Sequence, residues 1–268
     1  MKTGFRVFLA TLIALGASWC GFVLAPVLQL GVEKQTTVLN SSDIYPNQRP
    51  GDAAMGLQVY RSLGCAACHT TQVRQNGVVC NVVLTSAGKN STAVSNLVST
   101  LKLTGLTKDE ADAASAKITA AGGKSETHIV ATGADISRGW GIRRSVAEDF
   151  LWDYPVQLGS IRVGTDLADG GARLPDANWQ LLHLYAPQSV VKNSAMPPFR
   201  FLFETKKIGA APSPDALNLP KGFEPPTGYE IVPTDDAKNL AAYLLSLRAD
   251  VPLYDAPFTP PATFAEKK

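Results

Sequence analysis

The sequence predicts a mainly α-helical protein on one N-terminal apolar helix, with a small α/β unit inserted into its globular part. Three observations carry this. No charged residue occurs from Val7 to Leu30. Helical periods bracket the globular part: Gly56 and Tyr60 share a face near its start, and Ala237, Leu240, Ala241, Leu244, Leu245 and Arg248 repeat helically near its end. Between them, Thr70 to Gly139 holds no Phe, Tyr or Trp, whereas Trp140 to Phe203 holds nine. A pocket for a large apolar group needs aromatic walls, so the first stretch reads as an insertion and the second as pocket. The 268 residues are 45% hydrophobic and 18% charged, enough for a packed core, and a net charge of +2 is too small to argue for nucleic acid or an acidic partner.

As a helix, Val7 to Ala25 would reach about 28 Å, close to a hydrocarbon core of about 30 Å. Lys2 and Arg6 precede it, which favours a cytoplasmic N-terminus and an exported remainder. A cleaved signal peptide is the competing reading, but the apolar run is long and no small-x-small site ends it. A lipoprotein site at Cys20 fails because Trp19 stands where a small residue is needed. Ala10, Ala14, Ala17, Gly21 and Ala25 form a small-residue stripe suited to packing on another membrane helix, although such residues are common in these helices.

Residues 1–32 therefore read as an anchor and 33–50 as a polar linker. The helical domain is discontinuous, 51–75 and 139–250, and a proline-containing tail follows at 251–268. The insertion, 76–138, has its own order. Val78 to Leu84 is β-branched and strand-like, Ser86 to Asn90 a turn, Ala93 to Leu103 and Lys108 to Ala121 helices, and Thr127 to Ala131 a returning strand. Thr107 caps the second helix, with Asp109 and Glu110 in its first turn, and Gly122-Gly123 ends it. Lys206 to Pro233, rich in Pro and Gly, reads as a long loop. Thr234 caps the last helix, with Asp235 and Asp236 at its positive end.

The most specific motif is Cys65-Ala66-Ala67-Cys68-His69. C-x-x-C-H is the attachment pattern of a c-type haem. Two thiols on one turn can each add to a porphyrin vinyl group, and the next residue offers an imidazole to the iron. A redox dithiol or half a zinc site is the alternative, and no second cysteine pair completes a zinc site. Cys20 and Cys80 read as buried small hydrophobes rather than a disulfide. For a sixth ligand, a methionine sulfur would favour Fe(II). Met55, on the helix entering the motif, reads as core packing. Met196 lies in Ser194-Ala195-Met196-Pro197-Pro198-Phe199, where two prolines restrict the loop. His128 reads as a surface residue, and His183 as a packed or hydrogen-bonded one with a ligand role or a propionate contact as alternatives.

These pieces resemble the monohaem cytochrome c subunit, subunit II, of cbb3-type haem-copper oxidases. The matching stretches are Gly56-x-x-x-Tyr60, Gly64-Cys65-x-x-Cys68-His69 and Val73-Arg74; Gly159-Ser160-x-Arg162-x-Gly164-Thr165-Asp166-Leu167 with Gly170-Gly171; Trp179-x-x-x-His183-Leu184-x-x-Pro187-x-x-Val190-Val191; and Ser194-x-Met196-Pro197. The membrane segment with Ser18, Gly21 and Pro26 is similarly placed. Thr165 and Gln188 depart from the family, which commonly has proline and arginine there. The resemblance implies a class I cytochrome c domain on a single membrane helix, with one haem c held covalently by Cys65 and Cys68 and axially by His69 and Met196. The Thr165 carbonyl would take the proximal imidazole N–H, the role of the proline carbonyl in small c-type cytochromes. The helix entering the motif would cross the helix from Asp235 to Arg248, with Gly56 letting the backbones approach and Tyr60, Leu240, Tyr243 and Leu244 filling the contact. The implied work is electron transfer, with no organic substrate altered. The implied partners are a haem-copper catalytic subunit, other oxidase subunits, a donor cytochrome c and the lipid bilayer, with the haem domain on the periplasmic side of a bacterial inner membrane. A free-standing tethered carrier, a haem enzyme with an open sixth site, and a docking module built on the insertion are the other readings. The insertion itself resembles the C-terminal domain of the bacterial ribosomal stalk protein, through Val82 to Asn90, Leu106 to Ala111 and Ala120 to Lys124, as fold kinship rather than shared function.

Overall fold

The computed structural model describes residues 2–30, 34–89 and 91–253. The apolar run forms a continuous helical rod: α1 (Lys2–Trp19), a π-helical turn (Cys20–Leu24) and α2 (Ala25–Leu30). The π turn has a local cause. Pro26 has no N–H to return to the preceding turn, and its ring displaces the carbonyl of residue 22, so the helix widens there. The stretch Thr3–Gln29 is long and apolar enough to cross a membrane, and its apolar window is not buried against the rest of the chain. Cys20 is exposed on it, not buried as expected.

The polar stretch after this rod is more than a linker. β1 (Thr36–Thr37) pairs antiparallel with β2 (Ile44–Tyr45), and the Tyr45 side chain is buried, donating from its hydroxyl to Asp149 and to the Arg248 carbonyl at 2.9 Å each. Nothing local encodes this, because its partners lie more than a hundred residues away.

α3 (Gly51–Ser62) and α10 (Asp235–Ser246) cross as the core of the helical part. A Cβ on Gly56 would lie 1.9 Å from the Asn239 carbonyl oxygen, so glycine is what permits the crossing. Tyr60 and Tyr243 pack with tilted rings, 5.1 Å between centres, and Leu240 is buried beside them. Met55 points the other way and is 60% exposed, which corrects its reading as core: one position from Gly56 turns the side chain about 100° round the helix. Thr234 caps α10 through Ala237 N, and the helix stops at Ser246, two residues before Arg248.

Between these helices the chain runs β3 (Gly77–Ser86), α4 (Ser91–Thr100), α5 (Lys108–Ala120) and β4 (Lys124–Thr132), followed by the short α6 (Ala134–Ser137). β3 and β4 pair antiparallel from Gly77 opposite Thr132, and both are longer than the alternation suggested. Cys80, Val82, Val94, Ala111 and Ile118 form a buried cluster of their own. α5 has a full capping box, Thr107 with Glu110, and Gly123 N closes the helix on the Ile118 carbonyl. His128 is exposed and Cys80 buried, both as expected.

After α6 lie α7 (Gly170–Arg173), α8 (Ala177–Tyr185) and α9 (Pro187–Val190). The long loop expected over 206–233 is bounded by an antiparallel pair, β5 (Phe203–Lys207) with β6 (Tyr229–Pro233), so both of its ends are strands. Ile231 and Val232 are buried there, and the Pro- and Gly-rich middle hides a pairing between short segments far apart in sequence. Of the tail, Leu253 is buried and Pro252 accepts from Leu39 N; residues 254–268 lie outside the described residues.

Candidate haem site

α3 does not run into the Cys65 motif but ends at Ser62. Gly64 adopts φ +68°, the left-handed conformation glycine tolerates best, and reverses the chain. Cys65–Ala67 then form a tight 3₁₀ turn in which Cys68 N and His69 N both donate to the Cys65 carbonyl, at 3.1 and 3.0 Å. Both thiols and the imidazole therefore leave a single turn.

A second segment wraps that turn. Val163 N and Gly164 N donate to the Cys68 carbonyl at 2.9 Å each, Thr71 N donates to the Leu158 carbonyl, and Leu167 N to the Thr70 carbonyl. His69 Nδ1 lies 2.8 Å from the Thr165 carbonyl. A carbonyl only accepts, so Nδ1 is the donor, and in the neutral ring this leaves the lone pair on Nε2. Two glycines make room: a Cβ on Gly159 would lie 2.1 Å from the His69 carbonyl oxygen, and one on Gly164 would lie 2.2 Å from His69 Cε1.

Cys65, Cys68, His69 and Met196 line one cavity of about 500 Å³, with Trp179, His183 and Phe199 among its walls. That volume falls within the range of about 300–1,000 Å³ of cofactor clefts. A smaller cavity of about 80 Å³ beside it reaches Tyr60, Leu240 and Leu244 on the two crossing helices. Met196 is brought there from a distant loop: Met196 N donates to Ser194 Oγ at 3.3 Å, and Phe199 N to the Leu184 carbonyl of α8 at 2.8 Å. His183 stacks on Trp179 with ring centres 4.9 Å apart.

The electrostatics separate the readings of the motif. Burial, with Cys68 adding a smaller contribution, pushes the Cys65 thiol up to about 11, although a hydrogen bond to its own backbone opposes this. A buried thiol of this kind ionises less readily than a reactive redox or metal-binding cysteine. Burial and then neighbouring His69 push His183 below the ordinary histidine value, partly offset by the Pro187 backbone. His183 Nδ1 and the Tyr60 hydroxyl are buried without a hydrogen bond of good geometry. Buried polar atoms are rarely left so, and both residues line the same small cavity. Apolar walls, orphaned polar atoms, an imidazole with its Nε2 free and glycines that clear the ring all fit a haem. A separate cavity of about 320 Å³ lies against Tyr45, Arg49, Asp149 and Asp153 and contains none of the four haem candidates.

The aromatic-rich segment is only partly pocket. Trp179 and Phe199 line the cavity, but Tyr154 and Phe201 are exposed, and Trp140 lies under the Arg138 and Arg162 guanidinium groups. Sequence reasoning missed the buried polar group beside the site, Thr70, Asp135 and Asp166 around Arg162. Arg162 and Asp166 stood out only as part of the family pattern, and nothing marked Asp135.

A family model described as "Cytochrome C oxidase, mono-heme subunit/FixO" matches residues 130–230. The match runs from β4 to β6, so it contains Met196 and the Gly159–Asp166 wrap but not the cysteine motif. No curated protein matches the chain. Over this stretch the resemblance read from the sequence holds: residues 130–230 are similar to the mono-haem, FixO-type subunit of cytochrome c oxidase.

Proposed function

We propose that the chain is a membrane-anchored monohaem cytochrome c that relays electrons as subunit II of a cbb3-type haem-copper oxidase. The observation that carries this reading is the convergence of Cys65, Cys68, His69 and Met196 on one apolar cavity, with the His69 tautomer set by the Thr165 carbonyl. In this reading α3, α10 and the intervening loops form a class I cytochrome c domain, residues 51–75 and 139–250, and residues 76–138 form the insertion. Cys65 and Cys68 would hold one haem c through thioether bonds, and His69 Nε2 and the Met196 sulfur would ligate its iron. The haem supplies reversible one-electron Fe(III)/Fe(II) chemistry.

The chain's own residues do the rest. Thr165 fixes the imidazole plane and, by accepting from Nδ1, raises the basicity of Nε2. Trp179, His183 and Phe199 exclude water from one wall, and the α3–α10 contact closes the other, which lowers the local dielectric. The wrap through Gly159 and Gly164 keeps the motif turn in one conformation, so little reorganisation accompanies a change of charge. Val7 to Ala25 spans the inner membrane, with Lys2 and Arg6 before it on the cytoplasmic side and the haem domain on the periplasmic side. The Asp135–Arg162 contact joins the insertion to the haem loop.

The test is expression of the full chain in a host that matures c-type cytochromes, followed by a denaturing gel stained for haem. Haem should stay with the polypeptide and be lost in a Cys65→Ser, Cys68→Ser double variant. In the native membrane the chain should co-purify with a polytopic subunit carrying copper and b-type haem. A chain without haem on the denaturing gel would sink the reading. Haem without that partner would leave a free-standing carrier instead.

A further inference from the structure

The buried polar group behind His69 is larger than a local turn requires. Asp166 is fully buried and Asp135 is 3% exposed. They sit on different segments, Asp166 beside the Thr165 carbonyl and Asp135 on α6, immediately after the insertion's return strand. Arg162 joins them. Its Nη1 and Nη2 donate to the two Asp135 oxygens at 2.9 and 2.8 Å, a two-pronged pairing. Nη2 also donates to the Gln72 carbonyl and reaches Asp166 Oδ2 at 3.2 Å, and Nε donates to Thr70 Oγ1 at 2.7 Å.

Thr70 Oγ1 donates onward to Asp166 Oδ2. Gln72 N and Ala168 N donate to the same carboxylate at 2.9 Å each, and Arg74 N donates to Asp135 at 2.8 Å. Three backbone positions directly after His69, at Thr70, Gln72 and Arg74, are thus tied through Arg162 to the residue that follows Thr165. Thr165 has no ring to restrict its own φ. Its carbonyl is aimed by its neighbours: Gly164, bonded to Cys68, on one side and Asp166 on the other.

We propose that Arg162, anchored by Asp135 at the end of the insertion, is a positioning residue for the axial imidazole. It clamps Asp166 and Thr70 so that the Thr165 carbonyl stays on His69 Nδ1, and it thereby sets the donor strength of Nε2 and the reduction potential. The inference rests on the proposed haem site. Relaxing the clamp weakens the Nδ1–H···O bond, makes the imidazole a poorer donor to Fe(III) and raises the potential. Lysine at 162 keeps the charge but cannot present the planar fork that spans both carboxylates.

The experiment uses the full haem-loaded chain. Arg162→Lys should keep covalent haem and the same helical circular dichroism, while the Fe(II)/Fe(III) ratio at fixed ambient potential rises about tenfold, about 59 mV for one electron. Its ferric electron paramagnetic resonance g values should shift, because they report the imidazole orientation. Asp135→Asn changes a charge, which moves the potential by itself, so it is read by g values alone and should shift them in the same direction. Unchanged potential and g values in a folded, haem-loaded Arg162→Lys would overturn the inference while leaving the proposed function intact. Unfolding of both variants would overturn it too, leaving Arg162 a purely structural residue. A parent chain without haem would instead sink the proposed function.

Discussion

Replacing Gly164 with alanine should disturb the site by a definite amount. The new Cβ would lie 2.2 Å from His69 Cε1, 2.7 Å from Nδ1 and 2.8 Å from Nε2. An ordinary contact needs about 3.4 Å or more, so the ring or the loop must move by roughly 1.2 Å. The loop cannot yield freely, because Gly164 N is bonded to the Cys68 carbonyl at 2.9 Å. The ring therefore tips into the cavity and leaves Thr165. Overpacking of this kind costs about 1–3 kcal/mol, and the lost hydrogen bond about 0.5–1.5 kcal/mol. Together they come to about 1.5–4.5 kcal/mol, or about 3–18 °C at about 2–4 °C per kcal/mol for a domain of this size. Differential scanning calorimetry of the haem-loaded chain measures the shift, and the optical spectrum shows the loss of low-spin, six-coordinate haem. A Gly164→Ala protein with the parent's melting temperature and spectrum would refute the claim that this backbone packs on the axial imidazole.

Three other outcomes follow from the same coordinates. Gly56→Ala should lower the melting temperature although alanine is the better helix former by about 1 kcal/mol, because its Cβ would overlap the Asn239 carbonyl at 1.9 Å; Gly51→Ala, whose Cβ meets nothing within 4 Å, should be neutral or stabilising in the same scan. Met196→Ala should leave the thioether-bound haem in place but remove the sulfur–iron charge-transfer absorption and lower the potential, and an unchanged potential would exclude Met196 as a ligand. His183 is held below its ordinary value of 6.5, first by burial and then by His69, so the folded chain binds its proton less readily. The unfolded chain takes up the proton more readily; stability is therefore lost as pH falls below about 6.5, by at most about 1.4 kcal/mol per pH unit. Urea unfolding from pH 7.5 to 5 should show that slope in the parent and a shallower one in His183→Phe, and equal slopes would mean His183 does not titrate on unfolding.

Much of the helical frame was legible because its signals are short-range. Thr107 and Thr234 cap helices through residues three positions on, and Gly56 with Tyr60 marks one helix face. The same logic misplaced Met55, because membership of an amphipathic helix does not say which face a residue occupies until the partner helix is located. The strands bounding 208–228 were hidden for a related reason: a five-residue strand flanked by Pro and Gly has almost no local signature, and its stability comes from its partner.

At the site, the division follows sequence distance. The cysteine motif determined by itself that two thiols and an imidazole share one turn, since they are adjacent, and the uncharged run from Val7 to Leu30 determined a helix able to span a membrane. The family resemblance already pointed to Met196 and to the Thr165 carbonyl, and the tertiary structure gives their placement, Met196 in the cavity of Cys65, Cys68 and His69 and Thr165 on Nδ1; only the structure showed Gly164 against the ring and Arg162 bridging Asp135 to Asp166. Each of those contacts joins residues of separate segments. A hydrogen bond or a close approach between distant segments depends on how every intervening element packs, and no spacing within the chain encodes that distance.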